Sequence, residues 1–384
     1  MPKDDIWTVL MVDDDRKACE LVAKYLNGEV VTDTGGKLEV TSEQNFDKAL
    51  DDLESHHYDF IILDVRLGPT SEERAEEEEG TKILDLIRKR RFLPVIFYTA
   101  LPNKVKHLET PLIKVIEKTQ AAPVVLECIR ELLKTKIPFI NRELMKHVEE
   151  VQREYMWNFV ASNWGVFGSA EDKSCIAYLL ARRLSKTLDS PEMKKFAERL
   201  SGCTEVLWDE ENVHPIRYYI IPPMGERALA GDIFLKKNGN KTYYMVLITP
   251  SCDISNDKAD MMLFACCLPL VETHEYKDWR NNPEDPGRYK GDLWALLQNK
   301  KSERYFFLPG IFDLPDMVVD FQKLVTLEIN IFNEMRGEES IKCTASLDSP
   351  YAESLIARFT RYYSRLGVPD LNIELIVNRF ASEG

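Results

Sequence analysis

The sequence is short of cationic side chains relative to acidic ones, and it has no long apolar run. Its 50 lysine and arginine residues face 64 aspartate and glutamate residues, for a formal net charge of −14. That balance disfavours a generic nucleic-acid or anionic-membrane partner. No apolar stretch approaches the roughly 20 residues that a membrane helix needs, and the acidic, polar start does not resemble a signal peptide. We therefore expect a cytoplasmic protein.

Paired cysteine motifs are also missing. The eight cysteines are irregularly spaced and include no Cys-x-x-Cys pair, while Cys266 and Cys267 lie inside an apolar run. This pattern favours buried thiols over a disulfide framework, and it gives little support for structural zinc.

The length and the changes of pattern along the chain predict three parts. A chain of 384 residues with 44% hydrophobic side chains is long enough for two or three cores. Strand-like and helical segments alternate in residues 1–136, which predicts a doubly wound α/β domain. Residues 137–202 are typical of a helical connector. Residues 203–384 contain short β-like runs and two closing helices, which predict an α+β domain.

Polar side chains follow four of the apolar runs in the first part. Asp13 and Asp14 follow one run, and Asp64, Thr99 and Lys118 follow three others. Because the carboxyl ends of parallel strands meet at one edge of a sheet, we expect these side chains to converge.

The chemistry of this set points to one bound phosphate. Clustered carboxylates attract a hard divalent cation with oxygen ligands, and magnesium is the expected one. With Mg²⁺ reducing the charge repulsion, Asp64 can act as a nucleophile toward a phosphoryl group. The Thr99 hydroxyl and the Lys118 ammonium are suited to holding the phosphoryl oxygens.

Residues 5–135 resemble a CheY-like response-regulator receiver domain, which has a flavodoxin-like fold. The resemblance is carried by four motifs: Val12-Asp13-Asp14-Asp15, Asp59-Phe60-Ile61-Ile62-Leu63-Asp64-Val65-Arg66-Leu67, Thr99-Ala100 and Lys118. It implies that Asp64 is the phosphoacceptor and that a histidine kinase supplies the phosphate. It implies Mg²⁺ ligands from Asp13, Asp14, Asp64 and the carbonyl of Arg66. It also implies that Thr99 and Lys118 move toward the phosphate.

The sequence departs from the family near the lysine. Thr119 follows Lys118 where the family usually has proline, so we expect the usual cis peptide to be absent and Lys118 to be placed differently. Val115 stands where the family has an aromatic switch residue. The glutamate-rich stretch from Ser71 to Gly80 predicts a solvated loop.

Two local predictions concern structure alone. The stretch from Val30 to Val40 predicts a turn or short hairpin beside the sheet. The aromatic cluster Trp157, Phe159, Trp164 and Phe167 in the connector predicts a small core, with a binding surface as the alternative.

The carboxy-terminal part contains neither a basic recognition helix nor a basic stretch, which disfavours a transcription factor. In the order of its strands, residues 228–328 resemble a PemK/MazF-type small barrel of the SH3-like class. Lys241-Thr242-Tyr243 and Leu268-Pro269-Leu270 stand where those ribonucleases carry their catalytic arginine and threonine. The resemblance therefore implies a binding barrel rather than a nuclease.

Cys252 and Asp253 follow a strand and are the best candidates for chemistry in this part. A thiolate at Cys252 could act as a nucleophile if His214 or His274 lay near. The alternative is a buried thiol, with Asp253 capping the next turn.

Three hypotheses remain from the sequence. The first is a bacterial two-component response regulator that is phosphorylated on Asp64 by a sensor histidine kinase or a phosphotransfer protein and controls an output domain without DNA binding. The second is an unphosphorylated receiver that serves as an interaction scaffold. The third is a receiver-gated effector, either RNA-directed or dependent on Cys252, in a defence system. The sequence leaves a homodimer open.

Overall fold

The computed structural model of the protein describes residues 6–32, 35–65, 78–166, 170–187, 213–225, 227–239, 241–282, 286–365 and 371–381. The chain divides into two compact units, residues 1–204 and 205–384. Each unit is described by itself.

A five-stranded parallel sheet forms the centre of the first unit. The strands occur in the spatial order β2-β1-β3-β4-β5, and each neighbouring pair is parallel. The strands are β1 (Ile6–Val12), β2 (Lys37–Glu43), β3 (Phe60–Leu63), β4 (Val95–Thr99) and β5 (Ile113–Glu117). The helices between and after them are α1 (Arg16–Leu26), α2 (Phe46–Ser55), α3 (Glu78–Arg90), α4 (Pro102–Val105) and α5 (Ala122–Lys134). This is the doubly wound, flavodoxin-like order that we predicted.

Helices on both faces explain why the strands are apolar runs rather than alternating ones. Along β3, Phe60 and Ile62 belong to a core shared with α1 and α5. Ile61 and Leu63 belong to a second core shared with α2 and α3. All four side chains are completely buried. The two faces of β3 are thus equally apolar, and the strand ends directly before Asp64.

The stretch from Val30 to Val40 begins with the predicted turn, in which the Val31 amide donates to the Gly36 carbonyl at 2.9 Å, and then enters strand β2. Strand β2 pairs with the whole of β1 in parallel and is an edge of the sheet, so the prediction of a turn is confirmed for the described residues before Lys37 and was wrong for residues 37–40. The turn is confined to the segment before Lys37, whose backbone forms an isolated antiparallel bridge with Val30.

A helical pair follows the sheet within the first unit. Helix α6 (Ile137–Tyr155) begins after Lys136, which has a left-handed φ of 64°. It continues through a π-helical turn, Met156–Val160, and a 3₁₀ segment, Ala161–Val166. Helix α7 (Ala170–Thr187) follows.

Helix α6 is fastened to the beginning of the sheet. The Arg142 guanidinium donates from Nη2 to Asp59 Oδ2 at 2.5 Å and to the Ile6 carbonyl at 2.6 Å. The same guanidinium lies 3.8 Å from the centre of the Trp7 ring, and Phe139 meets that ring edge-on at 4.7 Å. A largely buried ion pair and an aromatic contact thus tie the helix to the starts of β1 and β3.

The connector aromatics are not a core, so that prediction was wrong. Trp157 is 72% exposed and Trp164 is 60% exposed, and Phe167 lies outside the described residues. The small core of the pair consists of Tyr155 and Val160 with Ile176 and Leu180 beside them. A π-helical turn adds a residue to the helical repeat. Side chains beyond it therefore leave the face on which an unbroken helical period would place them.

The second unit is built on a seven-stranded antiparallel sheet with the order β10-β11-β9-β8-β7-β12-β6. Its strands are β6 (Tyr219–Ile220), β7 (Asp232–Asn238), β8 (Lys241–Leu247), β9 (Met261–Pro269), β10 (Tyr305–Leu308), β11 (Met317–Glu328) and β12 (Ile341–Leu347). Its helices are α8 (Ser251–Ser255), α9 (His274–Asn281), α10 (Pro286–Leu297), α11 (Ile329–Gly337), α12 (Tyr351–Tyr363) and α13 (Ile373–Ala381). The α+β composition is as predicted.

This sheet is strongly curved. The hydroxyl of Tyr219, on the edge strand β6, donates to the carbonyl of Pro309 at 2.7 Å, just beyond the opposite edge strand β10. Irregular register in β11 and β12 bends both strands. Tyr219, Phe306 and Leu308 consequently share one core, so the sheet has the shape of a partly closed barrel.

Among the described residues, no helix has both the length and the apolar character needed to cross a membrane.

Candidate functional site

Four neighbouring strands bring the candidate residues together at the carboxyl edge of the parallel sheet. Asp13 and Asp14 follow β1, Asp64 follows β3, Thr99 ends β4 and Lys118 comes one residue after β5. The side chains of Asp13, Asp64 and Thr99 are buried, whereas Asp14 is exposed. The convergence predicted from the sequence is therefore present for all five.

The three aspartates form an acidic cluster. Asp13, Asp14 and Asp64 each offer a carboxylate oxygen, and these oxygens lie within 4.8 Å of one another. Burial raises the pKa of Asp13, although hydrogen bonds from Lys118 and from the Asp15 amide act in the opposite direction. Oxygen ligands at this spacing, with one member open to solvent, fit a hard divalent cation such as Mg²⁺.

Lys118 supplies the positive charge within the cluster. Its Nζ lies 2.7 Å from Asp13 Oδ2 and 2.6 Å from Asp64 Oδ2. Burial by itself would lower the pKa of Lys118, but the hydrogen bonds and charges of Asp13 and Asp64 outweigh it and raise that pKa. Lys118 is therefore a cation at neutral pH, held between the two buried carboxylates.

The peptide bond between Lys118 and Thr119 tests the expectation that the usual cis peptide is absent here. The cis peptides in the described part of the chain are Ile221–Pro222 and Ser349–Pro350, so the bond after Lys118 is trans, as expected. With this trans bond, the Lys118 ammonium reaches both carboxylates. The Lys118 amide donates to the Thr99 carbonyl at 2.9 Å, which extends the β4–β5 pairing by one residue.

Asp64 and Thr99 stand at the carboxyl ends of the neighbouring strands β3 and β4 and make different hydrogen bonds. Asp64 Oδ1 accepts from the Val65 amide at 2.7 Å, while Oδ2 faces Lys118. The Thr99 hydroxyl oxygen accepts from the Leu101 amide at 3.2 Å, so its proton is available to another acceptor. Arg66, whose carbonyl was expected as a metal ligand, lies outside the described residues, and so does most of the acidic stretch after it.

The sequence reasoning did not select two residues beside the pocket. The Asp15 side chain caps α1 by accepting from the Lys17 amide at 2.9 Å, which matches the common use of aspartate before a helix. The Cys19 thiol donates to the Asp13 carbonyl at 3.4 Å, and burial raises its pKa to about 11. Cys19 is thus a neutral thiol under the acidic pair, and only its apolar-face position in α1 could have indicated that.

The surroundings of Cys252 in the second unit do not favour a nucleophile. Cys252 is exposed, and its sulfur lies 3.7 Å from Asp253 Oδ1. His214 Nδ1 instead accepts from the Ile216 amide at 3.2 Å. The expectation of a buried thiol was wrong as well, because the short helix α8 carries Cys252 at the surface.

Comparison with known proteins agrees with the pocket. Residues 9–130 match the sequence model of the response regulator receiver domain family. The heme response regulator HssR of Staphylococcus saprophyticus is 32% identical over 93 residues, which are 24% of this chain and 35% of that protein. The chain thus spans about a third of the length of that relative.

Two solved structures are also similar to this chain. The receiver domain of Francisella response regulator 1452 is 21% identical and covers 33% of this chain and 98% of its own, with a TM-score of 0.26. The response regulator TrrA of Thermotoga maritima, solved with Mg²⁺ and BeF, is 22% identical. It covers 33% of this chain and 98% of its own, with a TM-score of 0.25.

Proposed function

Because residues 9–130 form a response regulator receiver domain, we propose that the protein is a two-component response regulator whose Asp64 accepts a phosphoryl group in the presence of Mg²⁺. The observation that carries this proposal is the contact of Lys118 Nζ with Asp13 and Asp64 at 2.7 and 2.6 Å in a buried acidic cluster. A structural role alone does not account for a cluster of three carboxylates, two of which contact one lysine.

The residues divide the work of phosphoryl capture. Asp13, Asp14, Asp64 and the carbonyl of Arg66 would hold Mg²⁺, which reduces the repulsion between the carboxylate and the phosphodonor when it is bound. A carboxylate oxygen of Asp64 attacks the phosphorus, the bond to the donor nitrogen breaks, and its electron pair stays on the donor imidazole.

Thr99 and Lys118 would then stabilise the product. Phosphorylation removes the negative charge of the Asp64 carboxylate, and the new phosphoryl oxygens become acceptors for the Thr99 hydroxyl and the Lys118 ammonium. Thr99 is already buried at the end of β4, and its hydroxyl proton is not used in the bond from the Leu101 amide. Lys118 already contacts Asp64. Both side chains are therefore within the pocket before phosphate arrives.

We propose a sensor histidine kinase or a phosphotransfer protein as the partner, in the cytoplasm. For the second unit we propose an output role in binding rather than DNA reading. The curved sheet, closed by the Tyr219 hydroxyl across its two edges, supports an SH3-like small barrel. The weaker alternative is a Cys252-dependent enzyme, and the engagement of His214 Nδ1 with the Ile216 amide does not support it.

We also propose that two copies associate through the connector. Trp157, Trp164 and Tyr178 are 72%, 60% and 64% exposed. At about 150–250 Å² for each buried aromatic side chain, they would contribute roughly 300–500 Å² from each copy. Twice this area approaches the lower limit of a stable protein interface, about 1,200 Å² in total. Phe159 and Leu179, both 42% exposed, would add to it.

The phosphorylation proposal is tested with the full chain, a small-molecule acyl phosphate and Mg²⁺. Intact-mass spectrometry should show one covalent phosphate on the wild type, lost when Mg²⁺ is chelated and absent in Asp64→Asn. The control is Asp59→Asn, which alters an aspartate at the opposite edge of the same sheet and should keep the adduct. Absence of an adduct on the wild type would instead favour the unphosphorylated scaffold.

A further inference from the structure

We propose that Tyr98 is a positioning residue for Lys118: its hydroxyl holds the loop that presents the lysine to Asp64. The proposal concerns the same pocket and, as a role in catalysis, rests on the proposed phosphoryl transfer. It also makes a statement about Lys118 that can be measured without phosphate.

Tyr98 lies in β4 directly before Thr99 and is 5% exposed. Its hydroxyl donates to the carbonyl of Gln120 at 3.1 Å and lies 3.5 Å from the carbonyl of Lys118. Gln120 is thus the main acceptor, and Lys118 shares the same proton. Burial raises the pKa of Tyr98, so the phenol stays protonated and remains a donor at neutral pH.

The loop between β5 and α5 has few other restraints on its conformation. Thr119 is not a proline and leaves the backbone its ordinary freedom. Ala121, at the start of α5, has no side-chain capping bond. The loop makes one turn through the Gln120 amide and the Glu117 carbonyl at 2.9 Å. A hydrogen bond from a buried ring therefore adds substantially to its order.

Two consecutive residues of β4 hold Lys118 by its backbone. The Thr99 carbonyl accepts from the Lys118 amide at 2.9 Å, and Tyr98 donates to carbonyls on the other side. The Tyr98 ring packs with Ile116 and Val125 in the core that faces α1 and α5. The lysine side chain is thereby directed into the pocket from a peptide segment that β4 holds at both ends.

The ring of Tyr98 lies on a different strand, and on a different face of the sheet, from the aromatic switch residue that the family pattern predicts. Val115, at the expected position in β5, is half-buried and packs in the core on the α2 and α3 side. Tyr98 packs on the opposite face. It cannot swing into the space that an aromatic side chain at Val115 would occupy, so its role follows from its own contacts with the loop.

The experiment uses the full chain with Tyr98→Phe, which keeps the ring and removes the hydroxyl. The control is Tyr58→Phe, because Tyr58 is also buried but lies before β3, at the other end of the strands. Thermal unfolding of both variants confirms that each is folded. Mg²⁺ affinity, measured by calorimetry, should stay within about twofold of the wild type in both, since neither tyrosine belongs to the acidic cluster.

The first readout is exchange of the Lys118 ammonium protons with solvent, observed by NMR with isotope-labelled lysine. Exchange should be about three- to tenfold faster in Tyr98→Phe, the factor expected for loss of one hydrogen bond, and unchanged in Tyr58→Phe. An exchange rate equal to the wild type would overturn the proposal, whether or not the protein takes up phosphate.

The second readout is the rate of Asp64 phosphorylation at saturating Mg²⁺. Tyr98→Phe should be slower by a similar factor, about three- to tenfold, with no change in Tyr58→Phe. If the wild type takes up no phosphate, the proposed function fails, and the exchange measurement alone decides the role of Tyr98.

Discussion

Replacement of Lys118 by methionine keeps the length of the side chain and removes the charge that two buried carboxylates share. Asp13 and Asp64 are 0% and 1% exposed, while the Lys118 side chain is 21% exposed. Breaking a fully buried ion pair costs about 3–5 kcal/mol. Because water reaches part of the lysine and screens it, we expect a loss of about 2–3 kcal/mol at neutral pH without metal.

The loss of stability in Lys118→Met should become smaller as pH falls. Burial alone would lower the pKa of Lys118, but its carboxylate partners raise it, so the charge of Lys118 is complete at neutral pH and its contribution is lost as pH rises through that raised pKa. Burial raises the pKa of Asp13, so ionised Asp13 opposes folding and its protonation relieves that cost. The difference between Lys118→Met and the wild type should therefore shrink as pH falls toward the acid range.

Hydrogen exchange of the β1 and β3 amides, read by mass spectrometry, measures this difference locally in a chain with two units. Mg²⁺ should restore most of the lost protection, because a divalent cation replaces the missing charge. The matched control is Lys114→Met in β5, the strand directly before Lys118; its partner Glu131 lies 3.4 Å away and is half exposed. It should cost less than about 1 kcal/mol. Equal losses in the two variants, or a loss in Lys118→Met that Mg²⁺ does not reduce, would refute the electrostatic reasoning.

Two further predictions concern the other regions. Asp320 is buried, and although burial opposes its ionisation, its bidentate pairing with Arg304 at 2.7 Å holds its pKa below the usual value. Asp320→Asn should therefore cost about 1–3 kcal/mol at neutral pH, shrinking as pH falls through the acid range, in chemical denaturation. Trp157→Ser with Trp164→Ser should convert a dimer to a monomer in analytical ultracentrifugation, whereas Trp294→Ser in the second unit should not. A wild type that is monomeric at high concentration would contradict the dimer.

The pocket was predictable because its signals are local. Strands β1, β3, β4 and β5 each contain an apolar run that leads to a polar side chain, and parallel pairing then requires these four ends to meet. Short β-like runs likewise indicated the α+β composition of the second unit. The position of the Lys118 ammonium was harder to predict. The expectation from Thr119 considered the local backbone and not the attraction of the ammonium to two buried carboxylates.

Contacts between distant residues left no readable pattern. The bond from Tyr98 to the Gln120 carbonyl joins a side chain to a backbone atom, so the identity of residue 120 carries no information about it. The pairing of Arg142 with Asp59 spans 83 positions, and neither residue is unusual in its own segment. The exposure of Trp157 depends on a π-helical turn, which changes the helical repeat without a proline or glycine to mark it.

The attachment of Arg142 gives the first unit a mechanical property. Arg142 donates hydrogen bonds to the carbonyl of Ile6 and the side chain of Asp59, at the beginnings of β1 and β3. The same two strands end directly before Asp13 and Asp64. A strand is stiff along its axis, and the seven residues of β1 span about 23 Å at roughly 3.3 Å per residue. A displacement of Asp13 or Asp64 along that axis is therefore transmitted through the strand to helix α6. This route does not involve helices α4 and α5.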